Sequence, residues 1–245
     1  VVAKQSLEKL AASLTDILTT VSDLTANECR QFLEREPDVI TPNGFEDDFV
    51  PIPENFNQKR LDARTKLIQV SEALFGYKLS EDVKIVASSG RYEFTNKGLD
   101  VFIDALAKIN NEHVEGEEIL AFFLVPANNY GPRKDLQKSL AENTFTDLGT
   151  DNILTHYLHD ADFDPVLQKL KHNNLVNNPE SRVKVVFVPV YLNGNDGIFN
   201  LNYWDLLIGI DITVFASYYE PWGYTPLESL AFYVPTITTT LAGFG

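Results

Sequence analysis

Residues 212–228 read ITVFASYYEPWGYTPLE, and this stretch decides how the whole chain is interpreted. Residues 212–216 form a short β-branched and apolar run, which predicts a buried strand. Thr225 and Pro226 supply a capping residue and a proline at the first helical position, so a helix is predicted there with Glu228 in its first turn. The stretch is therefore a strand-to-helix junction, and ligands bind at such junctions in open parallel sheets.

The same alternation of short apolar runs and helical spacing continues through the rest of the chain. Further strands are predicted at 83–87, 119–125, 183–188 and 234–240, and helices at 4–14, 58–74, 203–208 and around 99–109. Alternating strands and helices are typical of βαβ units. We therefore predict an α/β fold, a Rossmann-like parallel sheet with helices on both faces.

Composition and charge exclude several classes of protein. The 245 residues are 44% hydrophobic, so the chain can bury a core and is not disordered. Asp and Glu outnumber Lys and Arg by 35 to 20, and the resulting net charge of −15 argues against nucleic acid and membrane surfaces as partners. No apolar stretch approaches the roughly 20 residues that span a bilayer. The single cysteine, Cys29, excludes an internal disulfide and fits a reducing, cytoplasmic compartment.

The amino-terminal part has a different organisation. Short strands are predicted at 17–21 and 39–41, with a helix between them that starts at Ser22 or Thr25. Residues 45–56 combine prolines with acidic neighbours and little periodicity, so we interpret them as a linker. The chain lacks an initiator methionine and stops after a strand-like run, so we expect a fragment cut at both ends.

The junction that contains Glu220 is the first candidate site. Gly223 permits close approach of the backbone to a ligand, and the N-terminus of the following helix offers free N–H groups to a phosphate. Glu220 and Glu228 can contact two different parts of one ligand. The alternative is a well-packed aromatic loop in which Glu228 only complements the helix dipole, and spacing alone leaves both interpretations open.

A second strand-to-helix junction, residues 89–98, carries two cations. Arg91 and Lys97 lie where a helix N-terminus is predicted, and positive charge is unfavourable there unless an anion compensates it. In so acidic a chain, this favours an anion-binding site. The alternative is a pair of surface salt bridges to Glu93 or Asp100.

A metal site is the weaker interpretation of a third segment. Asp160 and Asp162 resemble the Asp-x-Asp metal pairs of some nucleotide-sugar enzymes, but Asp164 precedes Pro165 and an apolar-periodic segment. We therefore predict that Asp164 is a helix N-cap, and we predict no metal and no cofactor. His113 and His172 lie in polar segments and are given no role.

Taken together, these segments resemble glycogen synthase of the animal and fungal type, a retaining glycosyltransferase of the GT-B architecture with two Rossmann-like lobes. The matching stretches, in family order, are 19–22, 37–44, 90–94 with 96–98, 155–156 with 164–165, 182–185, and 218–225 with Glu228. The resemblance implies that residues 1–42 are a remnant of the N-terminal lobe. Residues 43–245 would be the C-terminal, donor-nucleotide-binding lobe, truncated at its carboxyl end.

The resemblance also implies roles for the charged residues. Glu220 would lie beside the transferred glucose, and Glu228 would hold the ribose. Arg91 and Lys97 would neutralise the diphosphate leaving group, which makes a metal ion unnecessary.

Further residues would bind the nucleotide itself. Backbone groups of Gly223, Tyr224 and Thr225 would take up phosphate. Tyr203 and Tyr191 align with the positions that flank the uracil ring, although position 191 usually carries phenylalanine in the family.

The implied activity is transfer of glucose from UDP-glucose to the non-reducing end of an α-1,4-glucan with retention of configuration. The expected partners are thus a sugar nucleotide and an α-glucan acceptor; homo-oligomerisation is left open, and the isolated fragment is expected to be inactive. Two alternatives stand beside this: a GT-B glycosyltransferase with another sugar nucleotide or acceptor, and a nucleotide-sugar-binding module without turnover.

Overall fold

The structure is a computed structural model that describes residues 2–112, 116–145 and 152–245; His113 lies outside them. The helices are α1 Val2–Leu14, α2 Asp23–Glu28, α3 Pro53–Phe75, α4 Leu99–Asn111, α5 Lys134–Glu142, α6 Pro165–His172, α7 Tyr203–Leu207 and α8 Tyr224–Ala231. The strands are β1 Thr19–Thr20, β2 Val39–Ile40, β3 Lys84–Ser89, β4 Ile119–Leu124, β5 Asn129–Pro132, β6 His156–Leu158, β7 Val183–Val188, β8 Ile212–Phe215 and β9 Thr236–Thr238.

A five-stranded parallel sheet forms the centre of the fold, in the order β7-β4-β3-β8-β9. Its strands lie at the five positions that the sequence predicts, although no residue of β9 is fully buried. All six residues of β7 are buried, as expected for a strand covered on both faces. From β3 the chain moves outward to β4 and β7, then returns to add β8 and β9 on the other side. The strand order therefore reverses between β3 and β8.

Helices cover both faces of this sheet. On one face, Leu120, Phe122 and Leu124 of β4 pack in a core with α3, α5 and α7. On the other face, Ala121 and Phe123 of the same strand pack against α4 and α6. Successive side chains of a strand point to opposite faces, so one apolar strand contributes to two cores. The predicted fold class is confirmed.

The amino-terminal segment pairs with itself and not with the central sheet. β1 and β2 form a separate two-stranded parallel sheet, in which Thr19 is opposite Val39. Between them, Ser22 caps α2 in a capping box with Thr25, and a π-helical turn follows at Cys29–Leu33. That residues 1–42 derive from another lobe stays a prediction.

Two predicted boundaries are wrong. The linker expected at 45–56 is shorter, because α3 already begins at Pro53, a residue suited to the first helical position. Helix α8 begins at Tyr224, because Gly223 adopts a positive φ of 106° and turns the chain into the helix two residues early. Glu228 therefore lies in the second turn of α8.

The remaining segment, between β4 and β7, adds a small sheet to the helices α5 and α6 that it places on the two faces. β5 and β6 form an antiparallel pair, and α6 follows with Asp164 as its N-cap. The Asp164 carboxylate accepts a hydrogen bond from the Leu167 amide at 2.9 Å, which confirms the predicted cap. No helix in the described parts of the chain has the length and apolar character needed to cross a membrane.

Candidate active site

The two junctions singled out in the sequence meet at the point where the strand order reverses. One follows β3 (residues 89–98) and the other follows β8 (residues 216–223), and β3 and β8 are neighbours in the sheet. The Tyr218 amide donates to the Asn96 carbonyl at 2.9 Å. Gly98 has a φ of 64°, and a Cβ there would overlap the Ala216 carbonyl. The reversal of strand order is where open α/β sheets bind ligands.

Lys97 and Glu220 form an ion pair between these junctions. Their side chains are only 13% and 20% exposed. Burial lowers the pKa of Lys97, and so does the nearby charge of Arg91, whereas Glu93 acts in the opposite direction. The cation and the carboxylate that the sequence assigned to leaving group and sugar thus lie side by side.

A cavity of about 390 Å³ opens at the carboxyl ends of β3 and β4. Five predicted site residues line it: Arg91, Tyr191, Tyr203, Thr225 and Glu228. Its apolar wall comes from Leu124, Pro126, Val190 and Leu192. A cavity with an apolar wall and a few convergent polar groups is typical of small-molecule sites.

The two tyrosines that line the cavity differ in how firmly their side chains are held. The Tyr203 hydroxyl lies 2.8 Å from the Ser89 hydroxyl, a hydrogen bond that holds the ring at the start of α7. Burial raises the pKa of Tyr203, so its phenol stays protonated. Tyr191 also lines the cavity but is 72% exposed.

Glu228 presents a half-buried carboxylate to the cavity. Burial raises the pKa of Glu228, while the favourable interaction of its carboxylate with the Trp204 indole lowers it and so favours the charged form. Trp204 thus supports Glu228, although the sequence gave it no role.

Arg91 stands at the mouth of the cavity and is 71% exposed. Its guanidinium pairs with Glu93 at 3.1 Å, so one of the two predicted salt bridges is present. Lys97 forms its salt bridge with Glu220, and not with Glu93 or Asp100 as the alternative interpretation expected.

The other predicted residues, Gly223 and Tyr224, form the entry to α8 next to the cavity. Gly223 caps the helix with no side-chain hydrogen bond, so the first amides of α8 are left for other acceptors. Tyr224 is 49% exposed. These two residues, like Lys97 and Glu220, are not among those that line the cavity.

Sequence reasoning missed the residues that support the tyrosines and carboxylates. Ser89 and Trp204 are the sequence neighbours of Gly90 and Tyr203. A buried tyrosine or carboxylate needs a polar partner, so polar residues next to the candidate site residues could have been considered for that role. In the described part of the chain, no group of three His, Cys, Asp or Glu side chains is arranged to hold a metal ion.

Solved structures of glycosyltransferases share this fold. The sucrose-phosphate synthase of Thermosynechococcus elongatus matches with a TM-score of 0.55 and 18% identity, over 99% of this chain and 45% of that one. The catalytic domain of starch synthase IV from Arabidopsis thaliana matches with a TM-score of 0.51 and 14% identity, over 96% and 41%. At these identities the similarity establishes the fold alone.

Sequence comparison is more specific. The chain is 33% identical to the glycogen [starch] synthase of Caenorhabditis elegans, over 98% of this chain and 44% of the relative. It is 31% identical to isoform 1 of Saccharomyces cerevisiae and 28% to the human liver enzyme, with 98% of this chain covered in both. The chain thus spans less than half the length of these curated relatives. The glycogen synthase family profile matches residues 1–141 and 145–245, and the chain therefore belongs to the glycogen synthase family.

Proposed function

We propose that the chain is the donor-nucleotide part of an enzyme that transfers glucose from UDP-glucose to the non-reducing end of an α-1,4-glucan, with retention. One observation carries the proposal. The cavity that holds Tyr203 and Glu228 is built from the same two junctions as the Lys97–Glu220 pair, because Arg91 and Lys97 follow β3 whereas Glu220 and Thr225 follow β8. A sugar nucleotide has the same sequence of parts: an apolar base, a ribose, a diphosphate and a sugar.

The base is assigned to the apolar end of the cavity. Tyr203 has a fixed ring, and the exposed Tyr191 on the rim can close over a planar base. The apolar wall excludes water from the faces of a pyrimidine. The ribose hydroxyls then donate to the Glu228 carboxylate.

The diphosphate is assigned to the positive groups next to the cavity. Arg91 at the cavity mouth and the first amides of α8 supply donors to phosphate oxygens. Lys97 has three N–H donors, so it can hold Glu220 and a phosphate oxygen at once. These groups supply the positive charge that a metal ion would otherwise provide, and we propose that no metal is required.

The reacting glucose is assigned to the side of Lys97 where Glu220 lies. The bond between C1 and the phosphate oxygen breaks, a bond forms from C1 to the acceptor 4-oxygen, and the acceptor proton passes to the departing phosphate. The Glu220 carboxylate stabilises the positive charge that develops near C1, and Lys97 and Arg91 stabilise the negative charge on the leaving group.

The proposed partners follow from this chemistry. They are a sugar nucleotide and an α-glucan, with the protein in the cytoplasm; nucleic acid and membrane are not expected, and homo-oligomerisation is left open. Two structural relatives support the ligand class: Anabaena Alr3699/HepE was crystallised with UDP and glucose, and starch synthase IV was bound to ADP and acarbose.

Product analysis of the full-length protein tests the proposal. The protein is incubated with a glycogen primer and either UDP-glucose, ADP-glucose or another sugar nucleotide, and chain extension and the configuration of the new bond are measured. We expect α-1,4 extension with UDP-glucose. Extension only with another donor or acceptor would favour a different GT-B reaction. Binding of UDP without turnover by the full-length protein would favour a binding module.

A further inference from the structure

The loop that carries Glu220 is bonded to the amino-terminal segment through the residue that follows it. The Ser22 hydroxyl donates to the Pro221 carbonyl at 2.7 Å, across 199 positions of sequence. Ser22 is only 3% exposed, and its oxygen also accepts from the Thr25 amide at 3.2 Å. The N-cap of α2 therefore contacts the backbone of the loop directly.

The residue that precedes Glu220 is bonded to the same segment. The Tyr219 hydroxyl donates to the Glu28 carboxylate at 2.6 Å. Burial and the Glu28 charge raise the pKa of Tyr219 to about 12, so the phenol remains a donor at physiological pH. Glu220 thus lies between two residues that are each bonded to α2.

The backbone of Glu220 is fixed on the opposite side as well. Its amide donates to the Leu241 carbonyl at 3.1 Å, and its carbonyl accepts from the Gly243 amide at 3.0 Å. A Cβ at position 243 would overlap the Pro221 carbonyl and the Ser22 side chain. Three segments of the chain therefore meet around the loop without room for an extra methyl group.

We propose that Ser22 and Glu28 are positioning residues, which hold the Glu220 carboxylate against Lys97 through Pro221 and Tyr219. The inference rests on the proposed function and deepens it. Neither residue lines the cavity, and the contacts described for Tyr203 and Glu228 come from other elements. Loosening the two bonds therefore displaces Glu220 and leaves the nucleotide cavity intact.

The first test uses the Tyr219–Glu28 bond in the full-length enzyme. We expect Tyr219→Phe and Glu28→Ala each to lower kcat by about tenfold, the loss of one hydrogen bond to a charged group. The double variant should be no slower than either single variant, since both remove the same bond. Glu28→Gln keeps an acceptor oxygen and should restore most of kcat. Inhibition by UDP should stay within about twofold of wild type in all four.

The second test separates Ser22 from its role as a helix cap. Ser22→Ala removes both the cap and the bond to Pro221, whereas Thr25→Val removes the Thr25 side-chain part of the same capping box and leaves Pro221 untouched. We expect a loss of kcat in Ser22→Ala alone. Equal losses in both variants, matched by equal losses in Tm, would make Ser22 a structural residue only and overturn its part of the proposal.

Hydrogen exchange of the peptide that contains Glu220 gives a readout independent of turnover. We expect faster exchange in Tyr219→Phe and Ser22→Ala than in wild type and Thr25→Val. If the wild-type protein transfers no glucose but the loop exchanges faster in these variants, the proposed function is wrong, whereas the conclusion that the two hydrogen bonds hold the loop still stands. Unchanged exchange together with unchanged kcat overturns the inference.

Discussion

Lys97 and Glu220 lie 123 positions apart in sequence and form one ion pair at the centre of the proposed site. The pair exists because β3 and β8 are neighbours in the sheet and their following loops are joined at Asn96 and Tyr218. A cation and a carboxylate held together can stabilise a leaving diphosphate and an oxocarbenium-like sugar within one small volume. The proposed assignment thus separates residues that would act on the reaction from those that would only bind the nucleotide.

Glu220→Gln in the full-length enzyme should lower turnover by at least about a hundredfold and change UDP affinity little. The substitution keeps size and hydrogen bonding but removes the charge that stabilises the cationic transition state. Glu228→Gln should have the opposite effect, weaker UDP inhibition with a smaller loss of kcat, because a ribose contact is made in ground and transition states alike. Steady-state kinetics with UDP as inhibitor distinguishes the two. Near-normal turnover in Glu220→Gln would overturn the assignment of Glu220.

Arg91→Ala and Lys97→Ala should both lower transfer by one to two decades, which corresponds to about 1.5 to 3 kcal/mol for a charge-assisted phosphate contact. Their effects on stability should differ. Arg91 is 71% exposed and its loss should leave Tm unchanged, but Lys97 is 13% exposed and its loss strands the Glu220 carboxylate. Lys108→Ala, which removes an exposed cation on α4, is the control. Normal transfer in both Arg91→Ala and Lys97→Ala would mean that the two cations only form salt bridges and do not bind phosphate.

UDP should bind without a divalent metal, because Arg91, Lys97 and the first amides of α8 already provide positive potential. Titration calorimetry with EDTA and with added magnesium or manganese measures this, and we expect dissociation constants within about threefold of each other. A strict metal requirement would contradict the proposal that these positive groups replace a metal ion, and it would make Asp160 and Asp162 the candidate metal ligands.

Trp204→Phe should weaken UDP binding by up to about tenfold and shift its pH dependence. In wild type, UDP affinity should fall as the pH drops through the burial-raised pKa of Glu228, because the protonated acid is a weaker acceptor for the ribose hydroxyls than the carboxylate. The Trp204 indole lowers that pKa, so its removal should move the midpoint of the fall to higher pH. UDP inhibition measured from about pH 5 to 8 tests this, and identical midpoints in the two proteins would contradict it.

Gly98→Ala should destabilise the protein by more than about 1 kcal/mol and impair transfer. The residue has a φ of 64°, and an added Cβ would overlap the Ala216 carbonyl, so the loops that carry Lys97 and Glu220 would be forced apart. Gly44→Ala is a matched control, since a Cβ there meets nothing within 4 Å. Thermal unfolding and kcat are the measurements, and equal behaviour of the two variants would show that the close approach at Gly98 is unimportant.

The sequence predicted the fold well and the site only in part. Continuous apolar runs such as 183–188 identify buried parallel strands without knowledge of their neighbours. Strand order does not follow from such runs, so the contact between Lys97 and Glu220 required the structure. Glu228 lies in the second turn of α8 and not in the first, because Gly223, and not Thr225, sets the start of the helix two residues earlier. Trp204 was missed because its partner is a carboxylate 24 positions away, which no local pattern indicates.

The reversal of strand order also has a mechanical consequence. β3 is paired with β4 over six residues but with β8 over only two, Val86 with Ile212 and Ala87 with Thr213. The sheet is therefore divided by its narrowest seam into a three-stranded and a two-stranded part, with Arg91 and Lys97 on one side and Glu220 and Glu228 on the other. A ligand that contacts both parts of the sheet should stabilise their association, since its contacts add to the few backbone hydrogen bonds between β3 and β8.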